Sequence, residues 1–236
     1  MASHNCQQTS IRMEASLKNI ILQHWNGPLR ELEKISVESM QQYAKYVGAD
    51  YKLLTGHPFD KRYSDQLQKL AMFNEEFDEY DNTLMVDTDM ICVRNLTENV
   101  FELPGVGMHT EYQTEIFHKY LNKLPNLSDS RYAYWGGAIY KMSLEIREKL
   151  RVHISHDDLK WAPGRFHDEF YTHRLAMLAK LPLEEEPLSQ RWCYCSYRPE
   201  PHKAAMIHIR PRIKLGLPQK AKKIENYYML KAQGVF

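Results

Sequence analysis

The stretch Met85-Val-Asp-Thr-Asp-Met-Ile91, set inside a longer apolar run from Asn82 to Val93, decides how the chain is read. In a strand successive side chains alternate faces, so Asp87 and Asp89 would point the same way about 7 Å apart. Burying two unpaired carboxylates is prohibitive. The strand is therefore expected to end here, at the carboxyl edge of a sheet, where open α/β folds bind their ligands. Two carboxylates at that edge suit a hard divalent cation whose shell is completed by water or phosphate oxygens. On this motif alone a plainer reading stays open, in which Asp87 caps a turn and Asp89 opens a loop.

Upstream, Lys18 to Trp25 is a short apolar run closed by the turn signal Asn26-Gly27-Pro28, and reads as a buried strand. Leu29 to Val47 carries its apolar residues near helical spacing, and Gly48 stops it. Tyr51 to Thr55 is a second strand, and Ser64 to Tyr80 returns to a helical period with Ser64 as N-cap. Downstream, Gly105 to His109, Tyr132 to Lys141 and Ala205 to Ile209 read as strands, and Ser143 to Val152 and Asp168 to Ala179 as helices. Strands alternating with helices argue a largely parallel sheet covered on both faces. No internal repeat, low-complexity tract or linker interrupts the pattern, so a single α/β domain is expected from the 236 residues.

With 31 Lys and Arg against 30 Asp and Glu, the net charge of +1 provides no overall field for nucleic acid or an anionic membrane. The balance hides an uneven distribution. Nine acids and one base lie between Asn74 and Glu102, and eight bases and one acid between Pro201 and Phe236. No stretch reaches the roughly 18 apolar residues of a membrane span, and residues 1–25 lack a signal-peptide pattern, so a cytoplasmic site of action is expected. The four cysteines contain no CxxC pair; Cys193 and Cys195 form a lone CxC, and reduced, structural cysteines are expected.

His208 closes the late strand, and Lys214 follows past Arg210, Pro211 and Arg212. An imidazole can join two carboxylates around a transition metal such as manganese, and a nearby lysine or arginine can neutralise phosphate oxygens. Taken alone, His208 also suits a partly buried, hydrogen-bonded role. The aromatic cluster Tyr132, Tyr134, Trp135 and Tyr140 suits core packing or stacking on a sugar, Trp161 an acceptor loop or a plain loop position, and His153, His156, Asp157 and Asp158 have the composition of a ligand set but the spacing of a solvated loop. The run Lys220-Ala-Lys-Lys223 is expected to form an exposed helix face.

Five ordered patches resemble the retaining GT-A glycosyltransferases of the glycogenin and bacterial galactosyltransferase type. They are Lys69-Leu-Ala-Met-Phe73, Asn82 to Leu96 around Asp87-Thr88-Asp89, Tyr134-Trp-Gly-Gly-Ala-Ile-Tyr140, His167-Asp-Glu-Phe170, and Met206 to Lys214. The resemblance implies a Rossmann-like single domain with a mixed, mostly parallel central sheet flanked by helices. Residues 1–17 would be a flexible N-terminus. Residues 18–103 would form a nucleotide-binding half, 104–216 an acceptor and sugar half, and 217–236 a basic C-terminal extension.

The resemblance also implies a manganese or magnesium ion on Asp87, Asp89 and His208. It places Lys214 on the nucleotide diphosphate, Lys69 and Thr88 against the nucleotide half of the donor with Asp87 also near the ribose, Gln23, His24 and Trp25 beside the base, and Trp135, Gly136 and Gly137 toward the sugar. Asp168 would lie near the sugar ring, and Asp168 or Glu169 would be the base if transfer inverts. A UDP-sugar donor and a glycan or glycoprotein acceptor follow, with neither nucleic acid nor a membrane span involved. Overall length and the run Leu29 to Met40 also resemble capsid-glycosylating glycosyltransferases of chlorella viruses, which would place the chain in a host cytoplasm. The chain departs from the family where Trp135-Gly136-Gly137 replaces Asn-Ser-Gly, Pro211 replaces Gly and Glu169 replaces Gln. Two other classes stay open. One is a metal-dependent nucleotidyl or phosphoryl transferase, although the chain has no Gly-rich phosphate loop. The other is a non-catalytic nucleotide-sugar binding module.

Overall fold

The computed structural model describes residues 17–103, 107–110, 135–159, 167–181, 188–213 and 220–236. Strand β1 (Asn19–Trp25) leads into helix α1 (Glu31–Val47), which Gly48 ends at φ 68°, a left-handed conformation that glycine adopts without strain. Strand β2 (Asp50–Thr55) follows, then two 3-10 segments, Asp65–Phe73 and Glu75–Phe77. Strands β3 (Asn82–Val86) and β4 (Met90–Cys92) flank the acidic motif. Next come β5 (Gly107–Thr110), β6 (Trp135–Ser143), α2 (Leu144–Arg151), α3 (His156–Leu159) and α4 (His167–Leu178). The described chain closes with β7 (Tyr194–Cys195), β8 (Met206–His208), β9 (Arg212–Ile213), β10 (Lys220–Ala221) and α5 (Lys223–Ala232).

The central sheet has the order β2-β1-β3-β6-β5. β1 pairs in parallel with β2 and β3, while β6 runs antiparallel to both β3 and β5. Four of the five strands thus share one direction, the mixed and mostly parallel sheet expected. Its two faces are both apolar because the strands alternate between two covers. Ile20, Leu22, Met85 and Met142 pack with Leu67, Leu70, Phe73, Leu150 and Leu175 on one side. Ile21, Leu84 and Ile139 pack with Met40, Tyr43, Ala44 and Trp192 on the other.

Several elements differ from expectation. The span Ser64 to Tyr80 is helical only in 3-10 pieces, which Asn74 separates by taking an extended conformation at φ −66°, ψ 146°. A second sheet, β4-β8-β7, arises where β4 pairs antiparallel with β8, a pairing that no local pattern announces. His156 begins a single helical turn and its ring stacks on Tyr63 at 5.7 Å, so it is held and not merely solvated. Residues 220–223 do not form one exposed helix face. Lys220 and Ala221 pair with β9, Lys222 precedes α5, and Lys223 turns inward to Asp89. Residues beyond them are built into the domain: Tyr227, Leu230 and Val235 are buried in a third apolar cluster with Leu32, Ile91, Ile207 and Ile209. Cys92, Cys193 and Cys195 form no disulfide among the described residues, and burial pushes the Cys92 thiol up to about 12. None of the described helices is long and apolar enough to cross a membrane.

Candidate active site

β3 ends at Val86, and the acidic motif forms the turn beyond it. Asp87 N–H donates to Ala138 O at 2.9 Å, Met90 N–H returns to Asp87 O at 3.1 Å, and β4 then starts. Ile209 N–H donates to Asp89 O at 2.9 Å, and Met90 stands opposite His208 in the β4–β8 register. The turn and the end of β8 therefore meet, and Asp87, Asp89 and His208 converge with one ligand atom each within 4.8 Å of one another.

A buried polar brace holds this turn. Gln23 Nε2 donates to Asp87 O and to Ser36 Oγ, both at 3.0 Å, and Ser36 Oγ donates to Met90 O at 2.6 Å. Tyr51 OH donates to Gln23 Oε1 at 2.8 Å. Gln23 is fully buried and both ends of its amide are engaged, so its side chain faces the core under the turn and not the space expected for a base. Ser36 and Tyr51 escaped the sequence reading because a serine in a helix and a tyrosine in a strand carry no local mark of such a role.

Asp89 is enclosed. Burial pushes its carboxyl up, but His208 and Lys223 outweigh burial and hold it well below the usual carboxylate range. Lys223 donates to Asp89 Oδ2. Asp89 Oδ1 lies 3.2 Å from His208 Nε2, yet it is a buried oxygen with no hydrogen-bond partner. An orphaned acceptor facing an imidazole nitrogen, with a second carboxylate beside it, is the situation that coordination would satisfy. Two carboxylates and one imidazole fit manganese or magnesium, the imidazole leaning toward manganese.

On the other flank Lys69 Nζ lies 2.5 Å from Asp87 Oδ1, 2.7 Å from Asp168 Oδ2 and 2.7 Å from Gly137 O. Burial opposes its charge, but Asp168 and then Asp87 overcome burial and hold the ammonium above its ordinary range. Gly137 N–H donates to Glu169 Oε1 at 3.0 Å. A Cβ on Gly137 would sit 2.4 Å from Asp168 Oδ2, 2.7 Å from Glu169 Cγ and 2.9 Å from Tyr140 OH, so only glycine allows strand and helix to approach this closely. Four residues expected at the donor site or as bases, Lys69, Gly137, Asp168 and Glu169, are thus brought together.

A cleft of about 340 Å³ opens beside both groups. His24, Trp25, Lys69, Asp87 and Thr88 line it as expected, and Arg30, Asp65 and Lys223 join them. His24 bonds through Nε2 to Gly56 O at 2.9 Å, and burial lowers its pKa. Arg30 lies over the Trp25 ring at 4.9 Å and pairs with Glu33 at 2.7 Å. Trp135 and Gly136 stand at the start of β6. Lys214, Tyr132, Tyr134, Trp161, Cys6 and residues 1–16 lie outside the described residues.

No protein-family model matches the chain, and no curated protein matches it in sequence. Solved structures do match in shape. A glycosyltransferase involved in the glycosylation of the major capsid of PBCV-1 superposes with a TM-score of 0.53, covering 91% of this chain and 99% of that one. The fold is a glycosyltransferase fold, of the GT-A type. At 11% identity this likeness speaks for the backbone and not for the chemistry. GlyE of Streptococcus pneumoniae TIGR4 is 15% identical over 89% of this chain and 59% of that chain, with a TM-score of 0.48. The catalytic domain of Drosophila β1,4-galactosyltransferase 7, in complex with xylobiose, is 18% identical over 91% and 80% of the respective chains, with a TM-score of 0.45.

Proposed function

We propose that the chain is a metal-dependent glycosyltransferase that moves a sugar from a nucleoside-diphosphate sugar to a glycan or protein-linked glycan. The observation that carries this reading is the convergence of Asp87, Asp89 and His208 at the carboxyl edge of the sheet, beside a cleft with room for a nucleotide. A divalent cation held by these three residues would supply Lewis-acid stabilisation of the departing diphosphate. Manganese and a UDP-sugar are the cofactor and donor we propose, and a capsid glycan is the acceptor that the resemblance to chlorella-virus enzymes suggests.

The chain's own residues divide the remaining work. Trp25 and His24 border the cleft on the side where the base would lie. Lys69 ties Asp87 to Asp168, and so would hold the carboxylate proposed for the metal beside the one proposed for the sugar. Gln23 and Ser36 are positioning residues, because they hold the turn through its backbone carbonyls. We place the sugar against Gly137 and Asp168, and Lys214 on the diphosphate.

Transfer passes through an oxocarbenium-like transition state, as glycoside hydrolysis does. An inverting route needs a carboxylate free to take the acceptor proton. Asp168 is instead paired to Lys69, and Glu169 accepts from Gly137 N–H. Carboxylates engaged in this way suit positioning more than proton abstraction, which favours retention.

Asp89→Ala is expected to abolish manganese binding and metal-dependent hydrolysis of nucleotide sugars, with a circular dichroism spectrum like wild type. A screen of UDP-, GDP- and dTDP-sugars, with the released anomer read by NMR, tests donor and outcome together. Full hydrolysis in the variant, or in excess chelator, would refute the metal role.

A further inference from the structure

The acidic motif meets a cation from the far end of the chain. Lys223, the first residue of α5, bonds to Asp89 Oδ2 and lines the cleft with Lys69, Asp87 and Thr88. Local rules argue against a lysine there, since the first turn of a helix carries the positive end of its dipole and favours acids. Glu225 supplies the acid of that turn, and the Lys223 charge is met across the fold by Asp89.

The helix does not depend on Lys223 for its placement. Tyr227 and Leu230 are buried against Leu32, Ile91 and Ile207. Asn226 Nδ2 donates to Arg210 O at 2.6 Å, and Glu225 accepts from Lys222 N–H at 3.0 Å. The Lys223 side chain is itself 42% exposed, against 13% for Asp89, so the solvent side of the ammonium faces open space and the carboxylate does not.

Resting on the nucleoside-diphosphate reading above, the geometry points to a double role for Lys223. In the absence of a divalent cation its ammonium stands in for the cation against Asp89. With the cation bound, the ammonium is released toward the diphosphate oxygens of the donor. The reason is electrostatic. Asp89 is a buried carboxylate, and without a countercharge it would be costly to keep ionised. An ammonium and a divalent cation crowded onto the same carboxylate repel each other. The incoming diphosphate offers new anionic oxygens, which a lysine binds well as a mobile point charge. Metal and Lys223 therefore compete for Asp89, and the diphosphate resolves the competition. Metal and diphosphate binding are coupled through this residue.

The test uses the full chain as wild type, Lys223→Met and Lys223→Arg, with calorimetric titration of manganese alone, UDP in saturating manganese, and uridine. Methionine keeps the stem and removes the charge. The expected result in Lys223→Met is opposite in sign for the two ligands: manganese alone binds about fivefold more tightly, within the usual range of coupling between sites. UDP binds about tenfold more weakly, as the loss of a charge-assisted hydrogen bond would give. Uridine is unaffected, and Lys223→Arg recovers most of the UDP affinity. Unchanged UDP affinity in Lys223→Met, or a parallel weakening of manganese and UDP, overturns the role of Lys223 while leaving the nucleoside-diphosphate reading intact. A wild type that binds no UDP in the presence of manganese overturns that reading, and this inference with it. A lower melting midpoint with all three ligands weakened marks Lys223 as a structural residue only, and also overturns the inference.

Discussion

Gly137 shows how narrowly a single residue can be specified. Its carbonyl receives Lys69, its N–H reaches Glu169, and its missing side chain leaves space that Asp168 fills. Gly137→Ala is expected to cost about 1–3 kcal/mol through overpacking, and to weaken donor binding by shifting Asp168 and Lys69. Chemical denaturation and UDP titration check the two effects separately. At this scale the acidic motif was legible because two carboxylates inside an apolar run have few physically acceptable placements. Gln23 was not. A polar residue at the end of a strand suits either a ligand or a buried brace, and only the position of Ser36 and Tyr51 decides between them.

Among the elements, α2 is tied to the 3-10 segments by charge. Arg147 is fully buried and donates to Phe77 O at 2.9 Å and Tyr80 O at 2.8 Å, and it lies 3.2 Å from Asp78 Oδ1. Arg151 donates to Asp78 as well. The hydrogen bonds from Arg151, together with both positive charges, hold the Asp78 carboxyl below its ordinary value. A depressed carboxylate contributes stability above its unfolded pKa of about 3.9, and that contribution is lost as pH falls further. Asp78→Asn is therefore expected to lower the denaturant midpoint at pH 7, and to flatten the stability loss below about pH 4 relative to wild type. Helical periodicity correctly marked this region as helical. It could not specify the break at Asn74, or that Arg147 on a distant element would claim the Phe77 and Tyr80 carbonyls.

For the whole molecule, acid sensitivity begins at higher pH in α4. His173 is buried, and burial lowers its pKa to about 4. The unfolded imidazole takes up a proton near pH 6.5 while the folded one resists, so stability is full above that value and falls as pH drops from about 6.5 toward 4. His173→Gln is expected to reduce the slope of unfolding free energy against pH between 7 and 5 by up to about one proton's worth, roughly 1.4 kcal/mol per pH unit. Urea titrations at several pH values in that window provide the check.

The amino-acid order alone determined the alternating strands and helices, the end of β3 at the acidic motif, and the presence of opposed acidic and basic regions. These depend on neighbours a few residues apart, where period, turn chemistry and the cost of burying charge act directly. Which cation meets Asp89 was decided only by the tertiary structure. The basic tail offers eight candidates to a carboxylate more than a hundred residues away. The choice of Lys223 follows from Tyr227 and Leu230 docking α5 against Leu32 and Ile207. Apolar burial is not directional and leaves no local signature of where it will set a charge.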